Sequence, residues 1–149
     1  MAIQDEKRGW PAADAKWTNK VGRPGYSVIP NILFWYGADL GMTPPQQATL
    51  FQLVSRWWIG DGTRALTKAE MAEGLGITER QVQRHLSALK KLGLIETRYP
   101  KRPGRHPYEY TFVGLVTKLQ KIAVAYESEK RRQQHGRGKA VRAVTRRNI

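Results

Sequence analysis

The sequence contains no cysteine among its 149 residues. Disulfide frameworks, thiolate zinc sites and cysteine nucleophiles are therefore excluded, and the absence fits a reducing compartment. Long hydrophobic runs are also missing, because the longest ones, such as ILFWYGADLGM at 32–42, are short and interrupted, here by Asp39 and two glycines. The N-terminus, MAIQDEKRGW, lacks the basic-then-apolar pattern of a signal peptide. We therefore expect a cytoplasmic protein without a membrane-spanning segment.

Acidic residues are few: 12 Asp and Glu stand against 26 Lys and Arg, which gives a net charge of +14. A polyanionic partner is the first inference from such an excess, the alternative being a basic surface that serves solubility. Nucleic acid is favoured over anionic lipid, since no amphipathic Lys-rich helix with an aromatic face is present. The hydrophobic content of 40% suffices for one core.

Enzymatic motifs are also missing. His85, His106 and His135 do not have metal-ligand spacing with carboxylates, and the segments GRPG and GRGK lack the strand and helix that surround a phosphate-binding loop. We expect no enzymatic activity, no metal and no cofactor.

The N-terminal half contains three predicted segments. Residues 1–25, rich in Gly, Pro, Ala and charge, are interpreted as an irregular arm, and Pro30 begins a short helix that Gly37 ends. Thr43 then caps a helix with Pro44 in its first turn. Its apolar residues recur at helical spacing and are expected in the core: Leu50, Leu53, Val54, Trp57 and Trp58.

Two capping-box patterns follow in quick succession. In TKAE, Thr67 precedes Glu70 by three residues, and in TERQ, Thr78 precedes Gln81 by three. This spacing satisfies exposed backbone donors at a helix start, so two helices are predicted to begin about eleven residues apart. The segment GLGI supplies a turn between them, and the small Ala72 permits close approach. The pattern is typical of a helix-turn-helix.

The second of these helices has two different faces. Val82, Leu86 and Leu89 lie on one side. The opposite side and its flanks carry residue types suited to phosphate and base-edge contacts, and we call this set the recognition face: Arg80, Gln81, Gln83, Arg84, Ser87 and Lys91. The alternative is a solvated surface helix, but a generic surface would contain more Glu and Lys. We favour DNA recognition.

Two short strands are predicted after this helix, in GLIETRYP and HPYEYTFVG, where Tyr108, Tyr110 and Phe112 alternate. The basic loop KRPGR joins them into a hairpin that can reach phosphates or the minor groove. Its expected contacts are Arg98, Lys101, Arg102 and Arg105. The segment RAL before Thr67 is a candidate third strand.

A last helix is predicted near residues 115–128, with Leu115, Leu119, Ile122, Ala123 and Tyr126 on one stripe. This stripe packs either on its own domain or on a second copy, and the sequence does not decide between them. Residues 129–149, with eight basic and no acidic residues from Lys130 onward, are interpreted as a mobile tail, because Gly136 and Gly138 interrupt it.

Residues 43–113, and LGITERQVQRHLSALKKLGLIE within them, resemble the winged helix-turn-helix superfamily. The resemblance implies a mainly α fold with a small antiparallel β-wing (α+β), and with its flanking helices we expect this domain to span residues 26–128. It also implies that Thr67 and Thr78 cap helices near phosphates, and that Arg80, Gln81, Gln83 and Arg84 face the major groove. The order of segments is similar to winged-helix regulators and replication-initiator-like proteins of plasmids, phages and integrative elements.

Three functions remain open. The favoured one is a transcriptional regulator that binds specific double-stranded DNA, encoded by a bacterium, phage or plasmid and nucleoid-associated when bound. The second is a replication-initiation or partition protein of a mobile element, and the third is a winged helix used for protein contact. The target sequence, an effector and the sign of regulation do not follow from the sequence.

Overall fold

The computed structural model describes residues 11–57, 66–98 and 109–147, with side chains up to residue 134 except those of residues 11, 12, 14, 98 and 109. These residues form six helices and two strands. In chain order they are α1 (Pro11–Gly22), α2 (Asn31–Trp35), α3 (Pro44–Val54), α4 (Lys68–Leu75), α5 (Glu79–Lys91), β1 (Glu96–Arg98), β2 (Glu109–Thr111) and α6 (Val113–Arg147). Across these ranges, no helix is both long and apolar enough to cross a membrane.

Helices α3, α4 and α5 begin where their caps predict. Thr43, Thr67 and Thr78 are the N-caps, each in an extended backbone conformation. In every case the residue three positions later returns a side-chain oxygen to the backbone N–H of the threonine, at 2.9 to 3.0 Å. Because backbone donors at a helix start have no partner within the helix, these local bonds determine the boundaries.

Two glycines in the left-handed conformation end α4 and α5. Gly76 has a φ of 66° and Gly93 a φ of 69°, values that residues with a Cβ rarely adopt. After α5, the N–H of Gly93 donates to Lys90 and that of Leu94 to Leu89, which is a Schellman ending. The equivalent bonds follow α4. The chain therefore turns sharply from α4 into α5, as the helix-turn-helix prediction requires.

One hydrophobic core joins the central helices. Helix α5 packs against both α3 and α4, and α3 packs against α4. Leu50, Met71, Val82 and Leu89 are completely buried. Thr49 is the buried polar residue among them, and its hydroxyl donates to the carbonyl of Pro45 at 2.9 Å, so its burial leaves no unpaired donor.

Strands β1 and β2 pair antiparallel, with Glu96 opposite Thr111 and Arg98 opposite Glu109. The two-strand wing and the mostly helical remainder confirm the predicted α+β winged helix-turn-helix fold. The third strand predicted from RAL is not confirmed: Leu66 is not in a strand, and residues 64 and 65 lie outside the described residues.

Helix α6 packs its first half on its own domain. Leu115 and Leu119 are buried in the common core, and the Tyr126 ring contacts those of Trp35 at 5.9 Å and Tyr36 at 6.3 Å between centroids. These contacts join α6 to α2. Of the two arrangements that the sequence left open for this stripe, the structure contains the packing on its own domain.

Three predictions differ from the structure. Residues 11–22 of the expected irregular arm form α1, which is kinked at Thr18, because its alanines favour helix. The expected tail continues α6 to Arg147, since a packed helix extends without a new nucleation cost.

Trp57 lies beyond the end of α3, is 43% exposed and contacts the Phe112 ring, so its expected burial is wrong. Trp58 lies outside the described residues, and the predicted domain boundaries stay predictions.

Candidate nucleic-acid interface

Helix α5 has a buried side and an exposed side. Val82, Leu86 and Leu89 are at most 2% exposed. All six residues of the recognition face (Arg80, Gln81, Gln83, Arg84, Ser87 and Lys91) are exposed. The 3.6-residue period places this face opposite the three buried side chains. The helix therefore presents a continuous polar surface of about three turns while its other side holds it in the core.

The N-terminus of α5 has a neutral cap. The Thr78 hydroxyl accepts from the Gln81 N–H at 3.2 Å, and the Gln81 Oε1 accepts from the Thr78 N–H at 2.9 Å. A helix N-terminus attracts anions through its exposed N–H groups and its dipole. Because the capping group is an uncharged amide, it adds no repulsion toward a phosphate, although Glu79 is an acid in the same turn.

Helix α4 begins differently. The Glu70 carboxylate accepts from the Thr67 N–H at 2.9 Å, and the Thr67 hydroxyl accepts from the Glu70 N–H at 3.1 Å. An acid therefore occupies the position where a phosphate would bind the backbone of Thr67. The structure confirms that Thr67 is a cap, and its predicted place near a phosphate stays a prediction.

Two residues of the recognition face are hydrogen-bonded to each other. The amide nitrogen of Gln83 donates to the hydroxyl of Ser87, one turn further along α5, at 3.1 Å. An i, i+4 pair of this kind restricts the rotamers of both side chains. The bond therefore limits the directions in which the Gln83 carbonyl oxygen can point.

The wing is described only at its strands. Arg98 is the last residue of β1, close in sequence to the loop. Lys101, Arg102 and Arg105 lie outside the described residues, as does the KRPGR loop itself. Their role as wing contacts stays a prediction.

Two exposed lysines at helix ends were not among the predicted contacts. Lys68 is the first residue of α4, and Lys90 lies in the last turn of α5, adjacent to Lys91. His85, half-buried on α5, lies between the two faces. In the part of the chain that the structure describes, no group of His, Cys, Asp and Glu is arranged to hold a metal ion.

Comparison with known proteins agrees with this architecture. Residues 48–102 match the family model of the Crp-like helix-turn-helix domain. The matched segment contains α4, α5, β1 and most of α3, which are the elements that build and support the recognition face. No curated protein matches the chain.

Proposed function

We propose that this chain, which has a winged helix-turn-helix fold and matches a Crp-like helix-turn-helix domain at residues 48–102, regulates transcription by binding a specific duplex sequence. Helix α5 lies in the major groove in this proposal, and the wing contacts the neighbouring backbone or minor groove. The DNA-binding role follows from the domain, whereas the regulatory role and the contacts below are the proposal.

The observation that carries the proposal is the composition of the exposed side of α5. The six residues of the recognition face are all polar and include Arg80, Arg84 and Lys91, whereas the one acid of the helix, Glu79, lies at its first position, outside this set. A helix that only faces solvent is stabilised better by Glu and Lys in i, i+4 pairs than by these residues. Solvent exposure alone therefore does not explain the composition of the recognition face. Arginine and glutamine are the side chains that bind guanine and adenine edges with paired hydrogen bonds.

The positions of the residues divide their proposed roles. Arg80, Gln83 and Arg84 lie in the first two turns, where a recognition helix reaches base edges. Ser87 and Lys91 lie further along the same side and are assigned to phosphates. The amide nitrogen of Gln81 donates to DNA, because its oxygen is occupied by Thr78.

Non-specific attraction comes from the rest of the chain. The net charge of +14 favours a polyanion at any sequence. The eight basic residues from Lys130 onward extend this attraction along α6, which reaches Arg147. These contacts strengthen binding to all DNA, and the recognition face selects among sequences.

Selection of bound sites from a random duplex pool tests the proposal. We expect a recovered motif of a few fixed base pairs that the protein binds at least tenfold more tightly than a scrambled duplex of equal length, at matched salt. Recovery of unrelated sequences with equal affinities would contradict sequence-specific binding.

The position and symmetry of the motif then separate the remaining functions. A motif beside a promoter supports regulation, whereas direct repeats in an origin would instead support replication initiation or partition. A palindrome with half-sites about 34 Å apart, or a multiple of it, would indicate that two copies bind together.

A further inference from the structure

A lysine of α6 contacts the end of the recognition helix. The Lys118 ammonium donates a hydrogen bond to the backbone carbonyl of Leu92, the C-cap residue of α5. The last carbonyls of a helix have no partner within it, and the negative end of the helix dipole favours a cation there. Lys118 is half-buried, so this basic side chain points toward the protein and not toward solvent.

The absence of a side chain at Gly114 allows α6 to come this close. A Cβ added at Gly114 would overlap the carbonyl oxygen of Gly93 and lie 3.1 Å from its carbonyl carbon. These atoms belong to backbone and cannot move aside as a flexible side chain would. Gly114 therefore permits the contact between α6 and the turn at Leu92 and Gly93. Lys118, one turn later in α6, stabilises this contact through its hydrogen bond.

This contact lies where three parts of the proposed interface meet. The turn at Gly93 connects α5 to β1 through the buried Leu94 and Ile95. On the other side, Phe112 alone separates β2 from α6. Holding the start of α6 on the end of α5 consequently sets the angle between the recognition helix and both strands of the wing.

We propose that Lys118 is a positioning residue for DNA recognition: it fixes the wing and α6 relative to the recognition helix without contacting DNA. The inference rests on the proposed function, since it assumes that α5 and the wing bind one duplex together. Gly114 acts with it by permitting the close approach. Substitution of either residue leaves the phosphate contacts present but places base-contacting side chains incorrectly.

The alternative role for a basic residue here is direct phosphate binding, and salt distinguishes the two roles. Each phosphate neutralised contributes about −0.9 to the slope of log affinity against log salt. A positioning residue contributes to the ratio of affinities for selected and scrambled DNA and leaves this slope unchanged.

The experiment compares four variants of the full chain with the unchanged protein on the selected duplex and a scrambled one. Lys118→Met removes the charge but keeps a long side chain, and Lys118→Arg keeps a cation that reaches the Leu92 carbonyl. Gly114→Ala disturbs the same contact without a change in charge. Lys121→Met removes an exposed lysine from the same helix and is the matched control. Binding is measured below the melting temperature of every variant.

We expect Lys118→Met to lower the affinity ratio about tenfold, the equivalent of one base contact, with an unchanged salt slope. Lys118→Arg should restore the ratio, Gly114→Ala should lower it, and Lys121→Met should keep it. A flatter salt slope in Lys118→Met would overturn the inference and indicate a phosphate contact instead. An affinity ratio that stays constant in both Lys118→Met and Gly114→Ala would also overturn it, because neither change would then affect recognition. If the unchanged protein does not distinguish the two duplexes, the proposed function itself fails, and the inference with it.

Discussion

The side-chain oxygen of Gln81 accepts hydrogen bonds from both the backbone N–H and the hydroxyl of Thr78, at 2.9 and 3.2 Å. The pair stabilises the start of α5, and Gln81 also belongs to the exposed recognition face. One side chain is thus placed to act in folding and in DNA binding. A substitution that preserves the first role and damages the second can separate them.

Gln81→Glu is such a substitution. A carboxylate preserves the acceptor of the capping box and interacts favourably with the helix dipole, by about 0.3 to 1 kcal/mol. The same charge repels phosphate at the N-terminus of α5. We expect an equal or higher free energy of unfolding by urea titration, together with weaker binding to duplex DNA. Unweakened binding would mean that this helix end does not approach the DNA backbone.

Arg80→Ala and Arg84→Ala test base recognition. Each should cost about 1 to 3 kcal/mol on the selected site and relax the preference at one or two base pairs. Competition binding at constant salt measures both effects. Arg23→Ala removes an exposed arginine that lies outside the matched domain and serves as the control. If both α5 variants bind selected and scrambled DNA like the unchanged protein, the recognition face is assigned wrongly.

Leu86 and Ser87 are neighbours in sequence that lie on opposite sides of α5, and alanine at each tests the two sides. Leu86 is 2% exposed, so Leu86→Ala should destabilise the fold by about 2 to 5 kcal/mol and reduce binding only through unfolding. Ser87→Ala should leave the melting temperature nearly unchanged. A stable Leu86→Ala protein that no longer binds DNA would show that the two faces are inverted.

Truncation before Lys130 tests the C-terminal part of α6. Removing the eight basic residues should lower the affinities for selected and scrambled DNA by similar factors. It should also flatten the slope of log affinity against log salt, by about 0.9 for each phosphate that the protein no longer neutralises. The control replaces the same residues by glutamine, which keeps the helix propensity without the charge. An unchanged slope would limit this segment to solubility or packing, whereas a collapse of the affinity ratio would mean that it contributes to sequence recognition.

The helix-turn-helix was predictable from sequence because its signals are local. Thr67 with Glu70, and Thr78 with Gln81, form their bonds within one turn, so their spacing predicts the starts of α4 and α5 to the residue. The burial of Val82, Leu86 and Leu89 followed from helical periodicity for a similar reason, since one face of a surface helix must meet the core.

The ends of elements and long-range contacts were less predictable. The apolar period of α3 continues through Trp57, but the helix ends at Val54, where the Ser55 hydroxyl donates to the carbonyl of Gln52. Gly136 and Gly138 indicated a mobile tail, yet α6 continues past them, because the packed first half supplies the helix nucleus. The bond from Lys118 to Leu92 spans 26 residues, and no local pattern reports it.

The central claim is that Arg84 contacts a base in the major groove. Replacing each purine of the selected site in turn by its 7-deaza analogue removes one major-groove acceptor at a time. Affinities of the unchanged protein and of Arg84→Ala on these duplexes form double-mutant cycles. We predict one or two positions where the analogue lowers the affinity of the unchanged protein but does not lower the affinity of Arg84→Ala any further. Additive losses of affinity at every position would contradict the claim, because Arg84 and the purine edges would then act independently.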